Sequence, residues 1–162
     1  MVEQNNVVEK KPKQTNSFRF AEKCLYEYKK NLARLDVLRG DLAILRSAPS
    51  PKVQDFRLDD IILSVGGHSD PVMARLIRME QLENEIVWLE RWTKPIMRFI
   101  DDIKRSRPAK GSERADYLIL MHVLYFENKN MEDAERVLKA SRSVIYRKRR
   151  GLIKNICQYL GL

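Results

Sequence analysis

The sequence predicts an all-α fold in which long amphipathic helices are followed by a C-terminal helix-turn-helix domain. Three observations carry that expectation. Apolar residues recur at spacings of three, four and seven through two long stretches, no alternation of strands and helices accompanies them, and a short capped segment is followed at once by a basic helical one.

Residues 1–17, MVEQNNVVEKKPKQTNS, have no sustained apolar period and carry Lys10, Lys11 and Lys13 around Pro12, so they read as a flexible basic arm able to touch nucleic acid. Residues 18–103 read as a helical hairpin or dimerisation region. From about Phe18 to Leu45, Leu25, Tyr28, Leu32, Leu35 and Leu42 form one stripe, which Leu38 and Leu45 widen. Gly40 lies inside it, at a cost of about 1 kcal/mol relative to Ala, and is expected to bend or fray the second half unless tertiary packing holds it.

Residues 47–71 hold Pro49, Pro51, Gly66, Gly67 and Pro71 and read as an irregular connector, with Phe56, Leu58, Ile61, Ile62 and Leu63 packing back onto the helices or forming a short strand. Gly66 and Gly67 lack the spacing of a phosphate-binding loop, and His68 lacks a ligand cluster. Ser69 or Asp70 before Pro71 is a cap signal for the second long helix. Its ridge is Val72, Leu76, Met79, Leu82, Ile86 and Leu89, and Pro95 is expected to interrupt or kink it before Ile96, Phe99, Ile100 and Ile103. Trp88 and Trp92 fit core or interface packing.

Residues 104–114, KRSRPAKGSER, form a basic hinge and the strongest domain boundary in the chain. Residues 115–162 follow as the helix-turn-helix unit. Tyr117, Leu118, Leu120, Met121, Leu124, Tyr125 and Phe126 line a broad helical face, with His122 structural or exposed, and residues 126–130 turn. Asn130 then caps a short helix, with Asp133 as the reciprocal member of a capping box and Ala134, Val137 and Leu138 inward. Ser141 caps a final helix from Arg142, whose inner ridge is Ile145, Leu152 and Ile156, widened by Val144, Ile153 and Leu160.

The 162 residues carry a formal charge of +9 and a pI near 9.7, which favours a polyanionic partner. From Lys139 to Leu162 every ionisable charge is basic: Lys139, Arg142, Arg147, Lys148, Arg149, Arg150 and Lys154. A short brace followed by a basic helix is the arrangement that lays one helix in the major groove of double-stranded DNA. The expected DNA-binding residues are Arg142, Ser143, Tyr146, Arg147, Lys148, Arg149, Arg150 and Lys154. Arg142 and Arg147 are the base-contact candidates, while Lys148, Arg149, Arg150 and Lys154 include phosphate contacts. Arg142, Ser143, Tyr146, Arg147, Arg149 and Arg150 are expected on the outside.

The segment YLILMHVLYFENKNMEDAERVLKASRSVIYRKRRGLIKNICQYL resembles the helix-turn-helix of sigma factor region four and, more closely, phage late-gene transcriptional regulators of the RinA and ArpU type. The similar pieces are the Leu/Tyr helix through Tyr125 and Phe126, the brace EDAERVL with Ala134, and SRSVIYRKRRGLIKNI. Within that last piece Ser141 matches the turn serine, Ile145 the inward residue, and Tyr146 and Arg147 positions that commonly face DNA. Arg136 and Lys139 depart from the usual brace. The resemblance implies sequence-specific DNA binding and activation of phage late genes, beside bacterial RNA polymerase and in the host cytoplasm.

Other classes find less support. No stretch approaches the roughly 20 apolar residues of a membrane span. Cys24 and Cys157 form no CxxC pair, so neither a disulfide scaffold nor a thiolate metal site is indicated. The pairs Asp59/Asp60 and Asp101/Asp102 diverge by about 100 degrees on a helix and lack a second catalytic cluster. The expectation is therefore a non-enzymatic chain without cofactors, a homodimer reading two half-sites. The rival is a helical structural or adaptor protein with nonspecific nucleic-acid affinity.

Overall fold

The computed structural model describes residues 16–49 and 71–162, which are helical with short connections and include no strand. The expectations for the arm up to residue 15, and for Pro51, Phe56, Leu58, Asp59, Asp60, Ile61, Ile62, Leu63, Gly66, Gly67, His68, Ser69 and Asp70, lie outside the described residues. In order come α1 (Asn16–Ser47), α2 (Pro71–Arg105), α3 (Glu113–Leu120), a π-helical turn (Met121–Phe126), α4 (Met131–Leu138) and α5 (Arg142–Leu160). The residues group into two compact units. One holds residues 27–101, the other residues 16–26 with 102–162, so one division falls within α1 and the other near the end of α2, just before the basic segment that starts at Lys104.

In the first unit, Leu35, Leu38 and Leu42 of α1 pack with Leu82, Ile86 and Leu89 of α2, and Leu32, Leu45 and Met79 flank them. The pairing is antiparallel. Arg39 bonds Glu90 at 2.6 Å and Arg46 bonds Glu83 at 2.8 Å, so advancing along α1 means retreating along α2. The intramolecular hairpin therefore buries the stripes that amphipathic spacing marked, at about 1.5–3 kcal/mol for each large apolar side chain. Hydrogen bonds from Lys94 and Arg39 hold the Glu90 carboxyl below its ordinary range.

Three details of this unit refine the sequence reading. Gly40 is exposed, and α1 continues through it to Ser47, because the leucines on either side are buried and hold the helix. α2 is not interrupted at Pro95. The proline forfeits one backbone bond, but Leu89, Ile96 and Phe99 are buried on both sides of it, and the Thr93 hydroxyl donates to the Leu89 carbonyl at 3.0 Å. Trp88 is 58% exposed and no core residue of this chain, and Leu76 is likewise exposed, since the hairpin contact takes the Met79–Leu89 part of the ridge. Trp92 is half-buried, with the Arg91 guanidinium 5.0 Å from its ring centroid.

In the second unit α3, the π turn and α4 pack together, and α3 and α4 pack on α5. Ile145, Leu152, Ile153 and Ile156 of α5 are fully buried, as the sequence spacing predicts. The hinge is shorter than expected, because α2 runs through Arg105 and Ser112 starts α3 by accepting from the Ala115 N–H at 3.3 Å. Over Met121–Phe126 the bonds lengthen to i+5, Glu127 N–H reaching His122 O at 2.9 Å. A wider turn lets Val123, Leu124 and Tyr125 all be buried in succession.

Candidate nucleic-acid interface

α4 begins on the expected capping box. Asn130 Oδ1 accepts from the Asp133 N–H at 2.9 Å, and Asp133 Oδ2 accepts from the Asn130 N–H at 3.4 Å. Ala134, 1% exposed, is the one fully buried side chain of α4 and its small size permits the crossing with α5. Val137, expected inward, is 54% exposed, while Leu138 beside it is half-buried, because the inner face of α4 runs from Ala134 to Leu138 at a step of four.

Three residues join α4 to α5. Lys139 adopts the left-handed region (φ 49°, ψ 42°), where its N–H and the Ala140 N–H both reach the Glu135 carbonyl. Such a reversal is ordinarily made with Gly or Asn, so Lys139 holds it at about 1 kcal/mol of strain. Ser141 sits extended at the N-terminus of α5, as expected, but its hydroxyl lies 3.2 Å from the Ser143 hydroxyl and makes no capping bond. At the other end Gly161 (φ 72°) closes α5, with Leu162 N–H on Cys157 O at 2.9 Å.

The eight residues singled out on α5 divide into two sets. Ser143, Tyr146, Arg147, Arg150 and Lys154 are exposed and follow one another at steps of three and four or adjacent to such a step, so they share one face. Arg147, Arg150 and Lys154 have no ion pair among the described residues. Arg142 is exposed at the start of the helix, with Nε 3.8 Å from Glu135 Oε1, too long for a hydrogen bond.

Lys148 and Arg149 turn inward instead. Lys148 pairs with the buried Asp116 of α3. Arg149, expected outside, is half-buried: its Nε lies 3.0 Å from Glu22 Oε1 and 3.1 Å from the Tyr125 hydroxyl, which itself donates to Glu22 at 2.9 Å. Burial pushes the Tyr125 hydroxyl far up, Glu22 adds to the rise and Arg149 opposes it. Burial also works against the Arg149 charge, but Tyr125 and Glu22 more than offset it and raise its pKa. The reason both cations leave the surface is helical phase. They lie one and two residues past Arg147, which rotates them toward α3 and α1 on either side of the buried ridge.

Sequence reasoning passed over Glu22, Asp116 and Gly151. A Cβ on Gly151 would stand 2.5 Å from the Tyr117 hydroxyl, so glycine there lets α3 approach α5. Tyr117 uses that hydroxyl to donate to Glu113 Oε1 at 2.6 Å. The available signal was an isolated glycine inside a helical pattern. Nothing in the sequence marks Glu22 as the partner of Arg149.

Cys24 is buried and Cys157 half-buried, neither in a disulfide, and burial pushes the Cys157 thiol up. His122 is exposed beside Glu127, its Nδ1 3.0 Å from Oε1. No helix among the described residues is long and apolar enough to cross a membrane. Comparison with protein-family models, with curated proteins and with solved structures finds no match to this chain.

Proposed function

We propose that this protein binds double-stranded DNA in a sequence-specific way through the exposed face of α5 and regulates transcription from the site it reads. One observation carries this reading: Arg147, Arg150 and Lys154 line one face of a helix set by a short brace and a three-residue turn, while the neighbouring cations Lys148 and Arg149 are taken up by internal carboxylates. Arg142, Ser143, Tyr146 and Arg147 occupy the half of α5 next to the turn, where base edges are met. Arg150 and Lys154 follow as phosphate contacts. Lys148 and Arg149 hold the helix in place.

Activation of phage late genes, beside RNA polymerase, is the direction that the resemblance to RinA- and ArpU-type regulators implies. Dimerisation belongs to the same reading, since Val37, Ile44, Ile77, Val87 and Trp88 stay exposed on the hairpin and half-sites are commonly read by symmetric pairs. Sedimentation equilibrium with and without DNA tests it, and a monomer at every concentration would remove the dimer.

The decisive experiment compares wild type with Arg147→Ala and Arg150→Ala on genomic fragments, with folding checked separately, alongside occupancy and transcripts across the genome. Arg147→Ala should lose about 1–3 kcal/mol at the cognate site and relax base preference. Arg150→Ala should weaken all duplexes alike. Equal binding of every variant to every duplex would leave only an adaptor with nonspecific affinity.

A further inference from the structure

Several cations on this protein have carboxylate partners. Arg34, Arg39 and Arg46 pair with Glu85, Glu90 and Glu83, and in the second unit Lys129 and Arg136 pair with Glu127 and Asp133. From the last turn of α2 to the start of α3, four cations lie close together without such a partner. Lys104, Arg105, Arg107 and Lys110 are all exposed, have no ion pair among the described residues, and are followed by no Asp or Glu until Glu113. Glu113 is itself engaged by the Tyr117 hydroxyl.

This basic segment has a defined shape. The Ser106 hydroxyl donates to Ile103 O at 2.7 Å, Arg107 N–H to Lys104 O at 3.2 Å with Arg107 at φ 43°, and Ser112 N–H to Ala109 O at 3.0 Å. It belongs to the same compact unit as α5. The Tyr159 hydroxyl of α5 donates to Asp102 at 2.7 Å, two residues before the cluster, so the cations begin beside the C-terminal end of that helix. Four like charges within so short a segment repel one another, and a polyanion relieves that repulsion. An already ordered segment also loses less entropy on binding than a loose one.

We propose that residues 104–110 are a second contact for the phosphate backbone of duplex DNA, outside the base pairs that α5 reads. The inference rests on the DNA-binding reading above and adds a sequence-independent clamp to it. From Arg147 to Tyr159 is about 18 Å of helix, at about 1.5 Å per residue. The clamp accordingly falls on phosphates that flank those base pairs.

The test uses the full chain on a cognate duplex with long flanks and on the same site with flanks trimmed. The variants are Arg107→Gln/Lys110→Gln and a fourfold variant that adds Lys104→Gln and Arg105→Gln. The double variant is needed because Lys104 and Arg105 lie in the last turn of α2, where their charge also steadies the helix end. For every phosphate that a variant no longer neutralises, the slope of log affinity against log salt should become shallower by about 0.9, with base preference unchanged. Trimming the flanks should weaken wild type and leave the fourfold variant unaffected. Slopes identical to wild type in both variants would overturn the clamp, while Arg147→Ala losing base preference in the same assay would leave the α5 reading standing. Wild type without affinity for any duplex would overturn both.

Discussion

Arg149 and Glu22 face each other inside the C-terminal unit, although 127 residues separate them, and the Tyr125 hydroxyl bonds the same carboxylate oxygen. Removing one partner strands a charge in a half-dry site, which is more damaging than removing both. Arg149→Met should therefore destabilise the protein by about 3 kcal/mol, and Arg149→Met/Glu22→Gln by clearly less. Urea unfolding of the two variants checks this, and additive losses would show the pair to be uncoupled. Duplex affinity of the folded double variant should stay near wild type, in contrast to Arg147→Ala.

Gly151 is predicted to resist the substitution that helix propensity favours. Alanine would gain about 1 kcal/mol as a helix former. Its methyl, however, lands on the Tyr117 hydroxyl and displaces it from Glu113, an overpacking that costs about 1–3 kcal/mol. Tyr117→Phe vacates that space, so Gly151→Ala should be markedly better tolerated in the Tyr117→Phe background. Melting temperatures of the four proteins decide it, and an equal penalty in both backgrounds would refute the close approach.

At the turn between α4 and α5 the left-handed Lys139 offers the opposite opportunity. Lys139→Gly should stabilise the protein by up to about 1 kcal/mol, and Lys139→Val should destabilise it by more than that, because a β-branched side chain tolerates this conformation poorly. Thermal unfolding of the pair would contradict the assignment if glycine proved the worse of the two.

Alkaline stability should follow the buried tyrosines. Burial raises the Tyr117 and Tyr125 hydroxyls above their ordinary value of 10, and Glu113 and Glu22 add to the rise. Below pH 10 both states keep these protons and the contribution is whole. Above it the unfolded chain releases them first, so stability declines as pH climbs. Denaturation at a series of pH values should show a shallower alkaline decline for Tyr125→Phe than for wild type, and parallel curves would argue against this cause.

The parts of the fold legible in the sequence were those governed by local periodicity and local bonding. Leu35, Leu38 and Leu42 matched the helical period and are buried, and Asn130 with Asp133 made the capping box their spacing announces. The α5 ridge followed the same logic. What stayed hidden depends on which side chains meet at a distance. A run of basic residues reports charge, not direction, so Lys148 and Arg149 looked equivalent to Arg147, although Asp116 and Glu22 claim them in the fold. Pro95 signals a break on backbone grounds alone, whereas apolar burial on both flanks outweighs the missing bond.

The grouping of residues 16–26 with residues 102–162 also bears on the order of events during synthesis. Residues 27–101 have all their hairpin partners once α2 has emerged from the ribosome. Glu22 and Tyr26, made earlier, must wait for Tyr125 and Arg149. At roughly 5–20 residues per second, that wait is on the order of ten seconds. Folding of the nascent chain should accordingly begin in the middle and finish at the two ends together. Release of an arrested chain shortly before Arg149 should yield a protease-resistant hairpin with residues 16–26 of α1 still cleavable.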